Sequence, residues 1–481
     1  MNRHESKLAI WCFSFCLMMI VSMGQVAAEE DKLHQLEQYI ERFIEEQQIP
    51  GTSIAIVHEG ELFYANAWGI TGESEEPVTT ETPFTLGSIS KSLTGLGVMK
   101  LVEGGAVDLE DPIHMYLPSF DLQDQQAASQ ITIKQLLTHT SGFSTYSGLA
   151  VSDKESKDAG VIKKHAQRLL NEKLSAGPGE KYQYSNANFI ILGALIEEVT
   201  NQTYSEFMEK EVFTPLGMDG AAADEHTADN KGYKAGHQSW LGLPQRSHVN
   251  YDNGGAPYGY IVASTTDMVQ YLSLLHSRER PDFLSEEMMN LYVSPHVQTG
   301  EDRYYGFGVR VTAPYSNEEM IWHSGSTPDS RSEIFYIPET GWGGVILTNK
   351  NHILEEDALA YLKHGIINIL NGEEAVKVPT YFPLIQMIII ALLCFLTAMF
   401  IYIIVKSKSA IVRKKALWRS LGIILVFLSI TIIPLLLYFV GVPWHTIKGF
   451  ATDVAWLTIT FSILSLVNGI LLIGFSFKAV K

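Results

Sequence analysis

The chain has 481 residues, 46% of them apolar and 18% charged, with 35 Lys and Arg against 53 Asp and Glu for a formal net charge of −18. That length accommodates a large core plus further segments. The acidic balance, which steepens to 23 Lys and Arg against 49 Asp and Glu over 29–372, argues against a nucleic-acid partner and against adsorption to anionic polymers.

The N-terminus carries Arg3 and Lys7, an apolar run over 8–23, and the small residues Val26, Ala27 and Ala28 before Glu29 and Glu30. This pattern predicts a signal peptide over 1–28 and export of the domain behind it. Apolar spacing then predicts a helix over 33–46, and two runs rich in β-branched and aromatic residues, 52–58 and 61–68, predict a hairpin. Phe84-Thr85-Leu86-Gly87 next turns the chain into Ser88-Ile89-Ser90-Lys91 and an amphipathic helix bearing Leu93, Leu96, Met99 and Leu101. A serine and a lysine three apart share one helix face. In the first turn Ser88 would lie where unpaired backbone N–H groups favour a developing negative charge. A desolvated Lys91 can lose its proton near neutral pH and act as a base for Ser88. The tetrapeptide also fits an ordinary N-terminal serine followed by a solvated lysine.

Gly104 and Gly105 stop that helix before the turn Leu109-Glu110-Asp111-Pro112. Beyond the turn Gly177-Pro178-Gly179, Tyr184-Ser185-Asn186 stands at the start of an apolar helix carrying Phe189, Ile190, Ile191, Leu192, Leu195 and Ile196. A tyrosine beside a lysine can be pushed toward phenolate and shuttle a proton, and Asn186 offers both donor and acceptor to a substrate amide. Strand-like runs at 320–322 and 333–337 flank His323-Ser324-Gly325-Ser326. There a glycine admits close approach of a substrate backbone, and a second N–H can serve an oxyanion. Strands within 305–349 and a helix over 355–370 complete the domain; terminal strands and helices around a helical middle indicate an α+β fold, an antiparallel sheet covered by helices.

Gly372, Pro379 and Pro383 mark a linker, 373–383, ahead of three apolar runs at 384–405, 421–440 and 454–475, each of bilayer-spanning length. The domain plan is therefore 1–28 signal peptide, 29–372 exported domain, 373–383 linker and 384–481 membrane unit. Lys406, Lys408, Arg413, Lys414, Lys415 and Arg419 crowd the first connection, whereas the second has Lys448 alone before Asp453. That bias predicts a cytoplasmic first connection and an extracytoplasmic domain. Pro434 is expected to kink the second span, and Asn468 to make a helix–helix hydrogen bond. The three cysteines, Cys12, Cys16 and Cys394, all fall in the apolar ends, so the domain has no disulfide and stands on its core. No zinc spacing, phosphate loop or dinucleotide fingerprint is present, so neither metal nor cofactor is expected.

Taken together, Ser88-Ile89-Ser90-Lys91, Tyr184-Ser185-Asn186 and His323-Ser324-Gly325 resemble the motif set of the serine penicillin-recognising enzymes, the family of class C β-lactamases, DD-carboxypeptidases and related esterases. The tyrosine form of the middle motif is similar to the class C and DD-peptidase branch. Leu136-Leu137-Thr138-His139-Thr140-Ser141-Gly142, Pro215-Leu216-Gly217-Met218 and the stretch from Gly259 through Met268 match in order, and the resemblance covers roughly 32–370. It implies a β-lactamase/DD-peptidase-like α+β fold with a helical insert, here followed by three transmembrane helices. It also implies roles: Ser88 as nucleophile, Lys91 and Tyr184 handling protons, the N–H groups of Ser88 and Ser326 holding the oxyanion, and Asn186, His323, Ser324 and Gly325 orienting substrate. His139 and Asp267 are expected to be scaffold. Class C β-lactamases usually carry lysine at the position of His323; histidine holds less charge at pH 7 and so points to the peptidase or esterase side. Nothing matches the deacylating glutamate of class A enzymes.

The resulting expectation is a membrane-anchored, extracytoplasmic serine hydrolase acting on cell-wall peptide or a related D-amino-acid amide or ester. A β-lactamase or an esterase is the alternative within the family. A sensor that keeps the fold without turnover is the alternative outside catalysis.

Overall fold

The computed structural model describes residues 30–72, 75–117, 129–158, 160–169, 172–280, 282–316, 318–406 and 415–477. The segment read as a signal peptide and most of the basic connection between the first two spans lie outside the described residues. The strands are β1 (Gly51–His58), β2 (Glu61–Gly69), β3 (Phe84–Thr85), β4 (His237–Trp240), β5 (Leu243–Arg246), β6 (Val262–Ala263), β7 (Val297–Gly300), β8 (Arg303–Tyr305), β9 (Arg310–Thr312), β10 (Met320–Thr327), β11 (Ser330–Tyr336), β12 (Trp342–Thr348) and β13 (Lys350–Asn351). The helices that matter below are α1 (30–47), α2 (Ser90–Glu103), α3 (Thr145–Val151), α4 (Asn186–Thr200), α5 (Thr265–Ser277), α6 (Asp357–Leu370), α7 (Leu384–Lys406), α8 (Lys415–Val440), α9 (Trp444–Phe450) and α10 (Thr452–Phe477).

The chain divides into two bodies. One is built from α1, α6 and the segment running to Thr380. Lys32 ties the two helices by donating from Nζ to Leu370 O at 2.8 Å, and Tyr39 donates to Val376 O at 2.9 Å.

The other body, 49–356 with 381–481, holds the sheet, the helical insert and the apolar C-terminal helices. Its main sheet has eight strands in the order β2-β1-β12-β11-β10-β9-β8-β7, antiparallel at every step. The predicted hairpin forms β1 and β2. Its two turn residues, Glu59 and Gly60, both have positive φ (51° and 78°), the combination whose twist matches the flanking strands. The inner strand β11 is buried at every residue but Arg331, as a strand covered on both faces must be, and α5 packs over β1 and β12. Beside β11, strand β10 alternates strictly, with Ile321, His323, Gly325 and Thr327 turned inward.

The helical insert packs on α4, an apolar helix buried from Ala187 through Glu197. Where the sequence predicts an amphipathic helix after Ser88, α2 is instead buried from Ser90 through Met99. Its small polar residues are absorbed by specific bonds: Ser92 Oγ to Gly308 O at 2.7 Å, and Thr94 Oγ1 to Pro257 O at 2.8 Å. A helix buried all round sits between layers rather than on a surface. The class predicted from the sequence, α+β with an antiparallel sheet, flanking helices and a helical insert, is the class observed.

Three C-terminal helices are long and apolar enough to cross a membrane: Leu384–Val405, Lys415–Val440 and Thr452–Phe477. Pro434 lies within α8. Asn468 on α10 donates to Leu396 O on α7 at 3.1 Å, the interhelical bond expected of it. What the sequence does not suggest is α9. The connection between the second and third spans is helical and packed against protein rather than a bare loop.

Candidate active site

Ser88 does not begin α2. It lies in a single 3₁₀ turn, Gly87–Ile89, just ahead of the helix that carries Lys91. Two glycines bring this turn against β10. A Cβ on Gly87, whose φ is +53°, would stand 2.0 Å from Ser326 N, and one on Gly325 would stand 1.9 Å from Leu86 O. No side chain fits at either position. Ser332 Oγ adds a hydrogen bond to Leu86 O at 2.7 Å, and the Thr85 and Thr327 hydroxyls meet at 3.0 Å. The backbone N–H groups of Ser88 and Ser326 thus belong to two segments in direct backbone contact beside the Ser88 hydroxyl.

Lys91 Nζ donates to Ser88 Oγ at 3.0 Å and to Tyr258 O at 2.7 Å. It is fully buried, and the rings of Tyr184, Tyr258 and Phe189 lie 4.9, 5.6 and 5.9 Å from it. Burial first, and then the positive charge of Arg310, hold Lys91 well below the usual lysine range; Asp153 opposes them weakly. An amine in this state is a base rather than a counterion. Asp153 itself takes a 2.8 Å hydrogen bond from Tyr260, yet burial raises its carboxyl to about 6.

The Tyr184 ring lies 4.9 Å from Lys91 Nζ. Burial raises its pKa above the ordinary phenol value, outweighing the charge of Arg310 and the neighbouring Ser88 hydroxyl, both of which lower it. Here the structure departs from the expectation of a residue pushed toward phenolate, because removal from water outweighs its cationic neighbour. Asn186 opens α4 and donates from Nδ2 to Ser152 Oγ at 3.1 Å, so it braces a neighbouring segment rather than its own backbone. His139 behaves as scaffold: its Nδ1 accepts from Ser185 N at 3.2 Å and pairs with Asn188 Nδ2 at 2.8 Å, fixing the turn that presents Tyr184. Asp267 likewise closes a capping box with Ser264 and takes Gly220 N at 2.9 Å.

On β10, His323 is 1% exposed, and both ring nitrogens have partners, Nδ1 with Ser324 O at 2.7 Å and Nε2 with the Tyr305 hydroxyl at 3.2 Å. Burial, then Arg310 and Lys91, keep its pKa well below the ordinary histidine value, so it is neutral at pH 7. Ser324 pairs with Glu333 across the ladder, and Ser326 donates its hydroxyl to Glu356 while receiving Asn351 Nδ2 at 2.8 Å.

Sequence reading misses Arg310. It faces Trp322 in the β9–β10 register, and its guanidinium carbon lies 5.3, 5.5 and 5.7 Å from the rings of Tyr184, Trp322 and Tyr305. Its Nε is buried and has no hydrogen-bond partner. A lone arginine in a short strand carries no motif; only the fold reveals that it stands beside Tyr184. No cluster of three or more His, Cys, Asp or Glu side chains suited to a metal occurs among the described residues. Two open hollows of 810 and 750 Å³ are lined by other residues and do not include Ser88.

Comparison with known proteins agrees with this arrangement. The chain is 26% identical over 346 residues to protein flp of Staphylococcus aureus (strain N315), covering 70% of this chain and 67% of that protein. It is 27% identical over 356 residues to a penicillin-binding protein of Bacillus subtilis (strain 168), covering 68% of this chain and 77% of the relative. The solved octameric penicillin-binding protein homologue from Pyrococcus abyssi superposes with a TM-score of 0.63 at 25% identity, over 75% of this chain and 81% of that one. With the Beta-lactamase family matched over residues 36–366, the chain belongs to the beta-lactamase family.

Proposed function

We propose that this chain is a membrane-tethered serine hydrolase that works through an acyl-enzyme on amides or esters bearing a free carboxylate, cell-wall peptide ending in a D-amino acid being the class that suits it. The observation that carries the reading is the 3.0 Å contact between Ser88 Oγ and a fully buried Lys91 whose charge is suppressed. Neutral Lys91 takes the hydroxyl proton as Oγ attacks the carbonyl carbon, and the resulting oxyanion faces the N–H groups of Ser88 and Ser326. Tyr184, kept as a phenol by burial, gives its proton to the departing amine or alcohol as the bond to carbon breaks, and the proton on Lys91 then restores the phenol. Water attacks the ester and loses its proton by the same route, releasing the acid and regenerating Ser88.

Asn186 is suited to an acyl-side amide. Recognition of a substrate carboxylate falls to Arg310 rather than to His323, because histidine here is neutral and already engaged at both nitrogens, whereas Arg310 is a half-buried cation without a carboxylate partner among the described residues. His323, Ser324 and Gly325 then shape the strand along which substrate backbone lies. The N-terminal apolar segment and the Lys/Arg bias of the connections support an extracytoplasmic location.

The test is intact-mass analysis of the full chain in detergent micelles after mixing with a β-lactam and with D-Ala-D-Ala peptides. An adduct on Ser88 that persists, together with peptide turnover, is the expected result. Rapid decay of the lactam adduct would assign a β-lactamase instead, and the absence of any adduct or turnover would overturn the reading. Protease added to intact spheroplasts should remove the domain; survival until lysis would overturn the location.

A further inference from the structure

The connection between α8 and α10 makes two groups of contacts with the hydrolase, and each leads to a different side of the Ser88 site. The first centres on Asp453. Its carboxylate pairs with His352 Nε2 at 2.8 Å, with the two side chains 1% and 2% exposed, and also accepts Leu241 N at 3.0 Å and Gln386 Nε2 at 3.2 Å. Beside it Ile353 N donates to Phe450 O at 2.9 Å, and Gln238 Nε2 to Gly449 O at 2.7 Å. Next to His352, Asn351 donates from Nδ2 to Ser326 Oγ at 2.8 Å and Thr327 O at 2.6 Å. Two residues, His352 and Asn351, therefore link Asp453 to the strand that offers the Ser326 N–H.

The second group centres on His445 of α9. Its Nε2 lies 3.0 Å from Leu149 O, to which it donates, and Lys154 Nζ sits beside the ring, 3.2 Å from Nε2 and 3.4 Å from Nδ1. Leu149 and Lys154 bracket Ser152, which receives Asn186 Nδ2, and Asp153, whose N–H donates to the Tyr258 hydroxyl at 2.9 Å. Tyr258 O in turn holds Lys91. His445 thus braces the helical side of the site.

We propose that residues 441–453 are a positioning element of the reaction: one short segment of the membrane unit clasps both walls of the site and sets the spacing at which Asn186 and the Ser326 N–H serve a single acyl group. Polar contacts hold both ends, so the clasp has a fixed register that an apolar packing face would lack. Misplacing either wall by a fraction of an ångström lowers productive geometry without touching the Ser88–Lys91 pair. The two ends act differently. The His445 end governs where the acyl side of a substrate is bound, and the Asp453 end governs the oxyanion wall.

This rests on acylation at Ser88 as read above, and the experiment separates the two claims. Full-length protein in lipid nanodiscs is titrated with a β-lactam to resolve the half-saturating concentration from the limiting acylation rate. His445→Ala should raise the half-saturating concentration about five- to tenfold, the loss of one hydrogen bond, and leave the limiting rate and the thermal midpoint near wild type. His445→Gln, which can still donate to Leu149 O, should restore it. Asp453→Asn should lower the limiting rate instead. Wild-type saturation in His445→Ala, or a loss that Gln does not rescue, overturns the proposal. Should Asp453→Asn fail to fold, the His445 pair decides. Should wild type not be acylated at all, the functional reading falls, and the clasp is read from amide hydrogen exchange: 149–154 exchanging faster in His445→Ala sustains it, unchanged exchange refutes it.

Discussion

The Ser88 site and the seat of the membrane unit both bury charge, and they handle it in opposite ways. At the seat each buried charge meets a partner: the Asp453 carboxylate is hydrogen-bonded by His352 at 2.8 Å, and Lys350 faces Glu355 at 3.0 Å while also donating to Gly242 O. At the site Lys91 and Arg310 are held among tyrosine rings, and the carboxylate most able to help, Asp153, is itself raised to about 6 by burial. Removal from water lowers the pKa of both buried lysines; at Lys350 the charge of Glu355 works against that, whereas at Lys91 the second influence, Arg310, adds to it. Paired charges fix geometry, whereas Lys91, buried without a carboxylate partner among the described residues and beside a second cation, is driven toward its neutral form.

That contrast can be broken from the site side first. Ser88→Ala should abolish adduct formation, a loss of at least about 10³-fold, with the fold intact; intact-mass analysis of the purified full chain reads it, and an undiminished adduct would remove Ser88 from the chemistry. At the seat, His352→Ala removes one of several hydrogen bonds to the buried Asp453 carboxylate and should cost about 1–3 kcal/mol, seen as a lowered thermal midpoint in detergent. A change within error would mean that the seat is solvated in the folded protein.

Arg310→Ala sharpens the comparison because it should act twice. Hydrolysis of a carboxylate-bearing substrate should fall about 10- to 100-fold, as expected for one charge-assisted contact, while a neutral ester responds little at its pH optimum. The acidic limb should also move. Lys91 acts unprotonated and its pKa is depressed, so activity is lost as pH falls through that depressed value. Removing Arg310 takes away part of the depression, and the limb shifts to higher pH for both substrates. A kcat/KM profile for one charged and one neutral ester measures both effects, and an unmoved limb would show that burial alone sets Lys91. The smallest effect is expected at Asn468→Leu, where loss of the bond to Leu396 O should cost about 0.6 kcal/mol with acylation unchanged.

The parts legible in the sequence are those written in local pattern. The β1–β2 hairpin, the three spans, the interhelical role of Asn468 and the order of the three motifs each depend on residues close together in the chain. The hidden parts depend on distance. Arg310 stands 126 positions beyond Tyr184, and nothing in a three-residue strand signals their proximity. By its position in the motif His323 is a partly charged group facing substrate, and only burial beneath Tyr305 shows its charge suppressed. Tyr184 looks set to drift toward phenolate because the lysine is legible and the surrounding desolvation is not. In the sequence Lys448 is simply the lone basic residue of a connection; that α9 meets the sheet domain requires the fold to return the chain to Leu149 and Ile353.

The meeting of Gly87 with Gly325 and Ser326 has a consequence for how this protein can vary. The groups proposed to face an oxyanion are main-chain N–H, which every side chain except proline leaves in place, and the two glycines that let them converge exclude every larger replacement. Side-chain substitution therefore grades this pocket little: a change at either glycine, or proline at Ser88 or Ser326, disrupts it, while other side chains at those two serines keep its donors. Drift toward new substrates has to run through the surrounding side chains, Asn186, Arg310 and the 149–154 segment, with the pocket passed on whole or lost whole.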